Sequence, residues 1–347
     1  MSRKLASIQK IKNLESIEGA DVIEKATVLG WSVVVKKGEF SIGDYCVFFE
    51  IDSLLPDEER YSFLKKSSWN SAYQRIRLKT IKLRGTLSQG LALPLKLFPE
   101  INFTEYNEGE DLTEILGVEK YETPIPPNMS GKTRRFTWPI SKTDEIRIQQ
   151  DPEYYLISIK NKPYYITVKL DGTSASYILL KNDNDEIEFH ACSRNYSIRF
   201  NEDNTIWQMA IKYDIEEKLT KHYDETGEML AIQGEICGPG IQKNRLGLKE
   251  HNFYIFNVIS VNENKKLPFP KISQMFPNIP FVPILEEGEE FSYETMNEIL
   301  ELAKGKYCEH FDTAMPKQER EGIVIRSKDQ SVSFKAISND FLLKEGE

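Results

Sequence analysis

A chain of 347 residues is longer than one ordinary globular core, so its length predicts two domains. Hydrophobic residues make up 40% of it and charged residues 29%, and no stretch approaches the roughly 18 apolar residues of a membrane span, which excludes a membrane protein. The net charge of -9 argues against a protein that coats nucleic acid through its overall charge.

The first residues and the cysteines predict an intracellular location. Charged residues lie close to every apolar residue in MSRKLASIQKIKNLESIEGAD, so no secretion signal is expected. The four cysteines form no CxxC pair, which favours free thiols in a reducing compartment over disulfides or a zinc site. We therefore expect an intracellular protein, most simply a cytoplasmic one.

The chain from Glu24 to about Leu97 consists of short β-branched and aromatic runs separated by Gly, Pro and Asp. Runs such as GWSVVVKKGEF and DYCVFFEIDSLLP have the length and spacing of strands in a small barrel. The sequence therefore predicts a small N-terminal OB-like β-barrel over residues 1–115.

One stretch of this zone is strongly basic. RIRLKTIKLRG, residues 75–85, contains five Lys and Arg residues and no acid. Period-two alternation puts Arg75, Arg77 and Lys79 on one face of a strand. That face is either a solvated surface or a contact for a nucleic-acid backbone or an outgoing pyrophosphate.

A proline-rich break separates this zone from the rest of the chain. VEKYETPIPPNMSGKTRRFTWP holds three prolines within four residues of one another, which forbids a continuous helix or strand. We predict a linker over residues 116–140. Residues 141–347, where runs such as FYIFNVIS alternate with helix-like segments such as NTIWQMAIKYDIEEKLTKHYDE, predict a mixed α+β domain.

Lys169 lies between a strand-like run and turn-forming residues in the predicted second domain. The run YYITV before it is typical of a strand, whereas Asp171 and Gly172 after it favour a turn. A lysine at a strand end is either a solvated charge or a nucleophile, and Asp171 could simply form the turn.

Further fragments follow Lys169 in strand-like surroundings. They are Arg194 after EIEFHACS, Glu235 in QGEICGPGIQKNRLG, Phe256 in FYIFNV, Glu321 in EGIVIR and Lys335 in SVSFKAISNDFLLK. Each fragment alone is a weak signal, but their order is specific.

This order resembles the covalent nucleotidyltransferase superfamily of ATP-dependent ligases and RNA capping enzymes. Within it, the chain is most similar to the RNA ligases that carry an OB domain ahead of the catalytic domain, because GEICGPGIQKN, SFKAISNDFLLK, KLRGTLSQGLALP and KTDEIRIQQ all match that branch. The resemblance implies a ligase-type α+β domain of antiparallel sheets and helices. It also implies ATP and Mg²⁺ or Mn²⁺ as cofactors and RNA, as a nicked duplex or as free ends, as the partner of a protein that we expect to be a monomer.

The resemblance assigns roles to these residues. Lys169 becomes adenylylated with the help of Lys335, and the metal is held mainly through water by Asp171, Glu235 and Glu321. Nucleotide binding falls to Arg147, Asp171, Gly172, Arg194, Glu235 and Phe256. A free lysine, with a pKa near 10.4, needs a lowered pKa to attack phosphorus, and Lys335 and the metal ion would provide the positive field.

Four of these residues also have purely structural interpretations. Glu235 could be a cap or form an ion pair at the surface, whereas the resemblance puts it on the ribose hydroxyls or near the metal. Phe256, in an apolar run, is either part of the core or a stacking platform for adenine. Arg194 is either a surface charge or a ligand of the nucleotide or 5′-phosphate. Arg147 could equally form a strand-edge pair with Glu145.

The leading hypothesis is an ATP-dependent RNA ligase. It would form a lysyl-adenylate, transfer AMP to a 5′-phosphate and join that phosphate to an RNA 3′-hydroxyl, at nicks in RNA repair. An mRNA capping guanylyltransferase shares the lysine chemistry but uses GTP and usually has its OB domain after the catalytic domain. A DNA ligase, or a nucleic-acid-binding OB module fused to an inactive transferase domain, remains as a further alternative.

Overall fold

The computed structural model describes residues 3–121, 132–134, 138–182 and 184–345. The chain forms two compact units, one of residues 1–124, 149–152 and 342–347 and one of residues 125–148 and 153–341. Much of the predicted linker, namely 122–131 and 135–137, lies outside the described residues. The predicted domain boundaries therefore stay predictions, although Glu119–Lys120 at the start of that linker pair with the strand Ser53–Leu55.

The first unit is built from short antiparallel strands. They are β1 (Ala6–Ser16), β2 (Ile23–Val28), β3 (Trp31–Lys36), β4 (Tyr45–Phe49), β5 (Ser53–Leu55), β6 (Trp69–Asn70), β7 (Arg75–Arg77), β8 (Thr80–Leu83), β9 (Thr86–Gln89), β10 (Leu91–Pro94) and β11 (Glu119–Lys120). The described strands form sheets in the orders β10-β4-β1-β2-β3, β11-β5-β7-β6 and β8-β9.

Strand β1 makes the first sheet curl. Its first half pairs with β4 and its second half with β2, and the register shifts between Ile11 and Asn13. Such an irregularity bends a strand and increases its twist, which is how one strand serves two parts of a closing barrel. The apolar runs of the sequence predict a first strand only from Glu24, and β1 escapes this prediction because charged residues interrupt its apolar pattern.

Both faces of β4 are covered. Val47 and Phe49 belong to one buried apolar cluster, and Cys46 and Phe48 belong to another. Because side chains alternate across a strand, two buried faces require the uninterrupted apolar run seen in CVFF.

The second unit contains two larger antiparallel sheets. Its strands are β12 (Thr133–Arg134), β13 (Tyr164–Lys169), β14 (Thr173–Lys181), β15 (Ile187–Cys192), β16 (Ser197–Ile198), β17 (Leu230–Cys237), β18 (Asn252–Ser260), β19 (Lys265–Lys266), β20 (Ile284–Gly288), β21 (Gly322–Ser327) and β22 (Ser333–Ile337). The described strands are ordered β12-β16-β15-β14-β17-β18-β19 in one sheet and β20-β13-β21-β22 in the other.

Helices complete the described structure. They are α1 (Lys65–Ser68), α2 (Pro152–Ile159), α3 (Thr205–Lys212), α4 (Ile215–Thr226), α5 (Phe269–Met275), α6 (Met296–Leu302) and α7 (Asn339–Glu345). No described helix is both long enough and apolar enough to cross a membrane. The second unit is thus a mixture of antiparallel sheets and helices, as predicted.

Helices α3 and α4 cover one face of the seven-stranded sheet. Trp207 of α3 and Leu219 of α4 are buried in one cluster with Tyr177 and Phe253 of the sheet. The sequence analysis predicted one helix-like segment where these two helices lie. They are separate because Asp214 takes a left-handed conformation, with φ of 51°, that ends the first helix.

Candidate active site

The connection after β13 brings Lys169 against an acidic side chain. β13 ends at Lys169, and residues 170–172 lead from the four-stranded sheet into β14 of the seven-stranded sheet. Lys169 Nζ donates to Glu321 Oε2 at 2.7 Å, and Glu321 directly precedes β21, the neighbour of β13. The two side chains are only 24% and 13% exposed. The amine is therefore held where the chain passes from one sheet to the other.

Gly172 lets β17 run close to this connection. A Cβ on Gly172 would clash with the carbonyl oxygen of Ile236 and would lie 2.8 Å from Cγ of Glu235. Glu235 is opposite Ser174 in the β14–β17 ladder. The absence of a side chain on Gly172 therefore admits the Glu235 carboxylate to the buried site around Lys169.

The charges of this cluster act strongly on one another. Burial alone would lower the pKa of Lys169, but Glu321, Glu235 and Asp171 outweigh it and raise that pKa. Burial raises the pKa of Glu235 to about 8; Lys169 opposes this rise, and Glu321 and Asp171 add to it. The protein side chains alone therefore do not provide the lowered lysine pKa that attack on phosphorus requires.

The three carboxylates fit a divalent cation. Burial is the main cause of the raised pKa of Glu235, about 8, and the nearby Glu321 and Asp171 add to it, so a bound cation would favour the ionised form of this carboxyl. Across the described residues, no group of three or more His, Cys, Asp or Glu could hold a metal ion directly. Carboxylates can also hold a hydrated Mg²⁺ through its water molecules, and this role of Asp171, Glu235 and Glu321 stays a prediction.

Lys335 and Arg147 add positive charge beside Lys169. Lys335 lies on β22, its backbone N–H donates to the carbonyl oxygen of Ile146 at 2.8 Å, and Arg147 forms an isolated parallel bridge with it. Burial, then the charges of Lys169 and Arg147, lower the pKa of Lys335 to about 8. The structure thus brings Lys335, Arg147 and Lys169 into one electrostatic neighbourhood.

Arg194 lies just beyond β15 and is the most exposed of the predicted nucleotide ligands. Its Nη2 donates to the carboxylate of Asp144, and its side chain is 53% exposed. Its role as a ligand of the nucleotide or the 5′-phosphate stays a prediction.

Phe256 lies on β18 with its ring partly buried. It packs against the apolar cluster that contains Tyr254, and the Arg326 guanidinium lies 6.0 Å from its ring centre. Arg326 is almost completely buried and donates to Glu145 at 2.9 Å. A partly exposed ring suits stacking on adenine, while its packing suits the core alternative.

Sequence reasoning missed two residues of this site, Arg245 and Tyr307. Arg245 donates through Nε to the Asp171 carboxylate, and its guanidinium lies 4.7 Å from the ring centre of Phe341. Arg245 was within reach of prediction because it belongs to QGEICGPGIQKNRLG. Tyr307, whose hydroxyl contacts the backbone of the Lys169 segment, follows no motif that would have signalled it.

The predicted cations of the first unit differ in their surroundings. Arg75 pairs with Glu119 at 2.8 Å, and Arg77 pairs with Asp52 at 3.3 Å while its guanidinium lies 3.6 Å from the ring centre of Tyr121. Lys79 is exposed. Two of these three cations are therefore engaged in contacts within the first unit.

Comparisons with known proteins agree with this architecture. A model of an OB-fold domain matches residues 5–95, and an RNA ligase family model matches residues 162–338. A Naegleria gruberi RNA ligase variant with ATP and Mn is 36% identical, has a TM-score of 0.84, and the match covers 99% of each chain. The same ligase with PPi is 37% identical over 99% of each chain, with a TM-score of 0.82. No curated protein matches the chain.

An OB-type barrel together with a strand-end lysine set among three carboxylates defines a covalent nucleotidyltransferase of the ligase type. Within that class, the chain belongs to the RNA ligase family. The predicted fold, with its OB domain ahead of the catalytic domain, and the predicted enzyme class are confirmed.

Proposed function

We propose that this protein is an ATP-dependent RNA ligase that seals nicks through a lysyl-adenylate on Lys169. The observation that carries the proposal is the Lys169 amine at the end of β13, 2.7 Å from Glu321 and within the field of two further carboxylates. The similar Naegleria gruberi RNA ligase has been solved with ATP and Mn and with AMP and Mn, which supports ATP and Mg²⁺ or Mn²⁺ as cofactors.

In the first step, the neutral Lys169 Nζ attacks the α-phosphorus of ATP. A nitrogen–phosphorus bond forms, the bond to the pyrophosphate oxygen breaks, and pyrophosphate leaves with the electron pair of that bond while a proton passes from the nitrogen to water. Glu321 Oε2 orients the amine by accepting its hydrogen bond, and Lys335 and Arg147 provide positive charge for the phosphate oxygens. A divalent cation held by Asp171, Glu235 and Glu321 would supply the charge that offsets these carboxylates and favours the neutral amine.

In the next two steps, AMP passes to the RNA and is then released. A 5′-phosphate oxygen attacks the lysyl-adenylate and Lys169 leaves as the amine. The RNA 3′-hydroxyl then attacks the activated 5′-phosphate, a phosphodiester bond forms, and AMP departs. Phe256 as a stacking platform for adenine and Arg194 as a phosphate ligand complete the proposal.

We assign RNA contact in the first unit to the β8–β9 hairpin. Lys79, Lys82 and Arg84 are exposed and form no ion pair with any described residue, unlike Arg75 and Arg77. The segment has no acid, so its charge is complementary to an RNA backbone. This arrangement favours backbone contact by Lys79 and its hairpin neighbours.

A monomeric state and a cytoplasmic location complete the proposal. Sedimentation of the purified protein tests the oligomeric state.

The function is tested by sealing a nicked duplex with RNA on both sides of the nick. We expect ATP-dependent sealing, and we expect sealing of a pre-adenylylated nick without ATP. Labelling by GTP rather than ATP would instead indicate a guanylyltransferase, and sealing of DNA nicks with RNA nicks untouched would indicate a DNA ligase.

A further inference from the structure

A single buried hydroxyl group joins three backbone groups from two segments of the active site, residues 169–171 and Glu321. Tyr307 Oη donates to the carbonyl oxygen of Lys169 at 2.9 Å and accepts from the backbone N–H groups of Asp171 at 3.1 Å and Glu321 at 3.2 Å. Tyr307 is completely buried.

These contacts use the full hydrogen-bonding capacity of the hydroxyl. A phenol has one O–H donor and two acceptor lone pairs, and each is matched to one backbone group. Buried backbone groups are costly to leave unpaired, so Tyr307 provides partners that the β-ladder does not.

The hydroxyl acts where the ladder between β13 and β21 ends. The last paired residues are Lys169 and Gly322, and a Cβ on Gly322 would clash with the carbonyl oxygen of Ala336. Asp171 and Glu321 both lie just beyond that last pair. The Tyr307 hydroxyl therefore continues the connection between the two strands past the end of their ladder.

We propose that Tyr307 is a positioning residue for lysine adenylylation. It acts through Lys169, Asp171 and Glu321 and touches no substrate. By holding their backbones at one point, it maintains the 2.7 Å contact between Lys169 and Glu321 and the separation of the metal-holding carboxylates. This inference rests on the proposed function, since it concerns the first step of that reaction.

The test compares Tyr307→Phe with Tyr177→Phe in the full chain. Tyr177 is the matched control because its hydroxyl is equally buried and donates to the carbonyl oxygen of Ile206 at 2.7 Å, in the core beneath α3. Single-turnover labelling with ATP is measured at saturating ATP and across a range of ATP concentrations, and rates are expressed per folded molecule.

We expect Tyr307→Phe to slow the labelling rate at saturating ATP by about 10- to 100-fold, as supporting residues around a metal site do. The ATP concentration at half-maximal rate should change far less, and Tyr177→Phe should label at the wild-type rate. Equal rates for the two variants would overturn the proposal. Failure of the wild-type protein to label would instead count against the proposed function.

Replacement of Tyr307 by 3-fluorotyrosine keeps the test decisive if Tyr307→Phe does not fold. Fluorine makes the phenol oxygen a weaker acceptor for the two N–H groups and leaves the ring in place. We expect slower labelling at unchanged thermal stability, and a wild-type rate would overturn the proposal.

Discussion

Lys169 is an ammonium ion when protonated, but it must be a neutral amine to attack phosphorus. Its neighbours influence the balance between these two forms. Glu321, Glu235 and Asp171 raise its pKa against the effect of burial and so favour the ammonium form. The same carboxylates attract a divalent cation, which would reverse that balance. In the proposed mechanism, the acids therefore hold the lysine before the nucleotide binds and link its activation to metal binding.

At this scale we predict that Glu321→Gln strongly impairs lysine adenylylation. The substitution keeps the shape of the side chain but removes the charge that orients Lys169 and holds the cation, so we expect a rate loss of about 100-fold or more. The measurement is single-turnover labelling with ATP, with thermal unfolding recorded in parallel.

Glu301→Gln provides the matched control, because Glu301 is an exposed acid that pairs with Lys304. It should label at the wild-type rate. Wild-type labelling by Glu321→Gln at unchanged stability would remove the proposed role of Glu321.

At the scale of secondary-structure elements, ion pairs of Glu145 connect β19 and β21 to the segment that contains Arg147. Glu145 accepts from Lys266 Nζ at 3.2 Å and from Arg326 Nη2 at 2.9 Å, and its side chain is only 12% exposed. Burial would raise the pKa of Glu145, but Lys266 and Arg326 outweigh it and lower the pKa from 4.5 to about 2.

We predict that Glu145→Gln destabilises the fold by about 3 to 5 kcal/mol near neutral pH, since it leaves the buried Arg326 and the partly buried Lys266 without their acid. Because the folded pKa is depressed, the contribution of Glu145 is fully present above pH 4.5 and is lost as the pH falls toward about 2. Urea unfolding at several pH values measures the difference between the free energies of unfolding of the wild type and the variant. A difference that stays constant as the pH falls below 4.5 would contradict the account.

The β8–β9 hairpin is the other element whose role can be tested by itself. Its turn is formed by Arg84 and Gly85, with φ of 47° and 83°. Positive φ at both central residues is typical of two-residue hairpin turns, whose twist fits that of the flanking strands. The turn leaves Arg84 exposed at the tip, with Lys82 on the strand beside it.

We predict that changing Lys79, Lys82 and Arg84 together to Ala weakens binding to a nicked RNA duplex and leaves ATP labelling unchanged. The dependence of log affinity on log salt should fall by about three, one for each lost phosphate contact. Binding is measured at several salt concentrations, with labelling measured in the same preparations.

The control removes the same charge elsewhere in the first unit. Lys12, Lys36 and Lys37 are also exposed, and their joint change to Ala should leave the salt dependence close to that of wild type. Equal losses in the two triple variants would mean that overall charge alone is at work. Slower ATP labelling with normal RNA binding would assign the hairpin to pyrophosphate instead.

For the whole molecule, the order of the motifs predicted which residues share the site. Local sequence patterns did not predict how those residues contact one another. Lys169 and Glu321 are 152 positions apart, and their presence in one site was predicted because both belong to a recognisable series of fragments; the hydrogen bond between them was not predicted. The strands that carry them were predictable from apolar and β-branched runs.

Other features depend on tertiary structure that no local pattern encodes. We propose that Tyr307 acts through backbone atoms of other segments. Because every residue has such atoms, no sequence motif marks these contacts. The basic stretch at 75–85 was predicted as one strand face, yet Arg75 and Arg77 are paired with acids from distant parts of the first unit. Charge spacing along a strand does not show which charges a fold will neutralise.

The central claim is that Lys169 becomes covalently adenylylated, and labelling tests it most directly. The wild-type protein is incubated with Mg²⁺ and ATP labelled at the α-phosphate, the denatured product is digested, and the labelled peptide is identified. Lys169→Ala and Lys162→Ala are treated in parallel, because Lys162 lies just ahead of β13 and its amine donates to the Ser331 hydroxyl, away from Glu321. We predict an acid-labile, alkali-stable label on Lys169 in the wild type and in Lys162→Ala, and no label in Lys169→Ala. AMP attached to the Lys169→Ala protein would contradict the account.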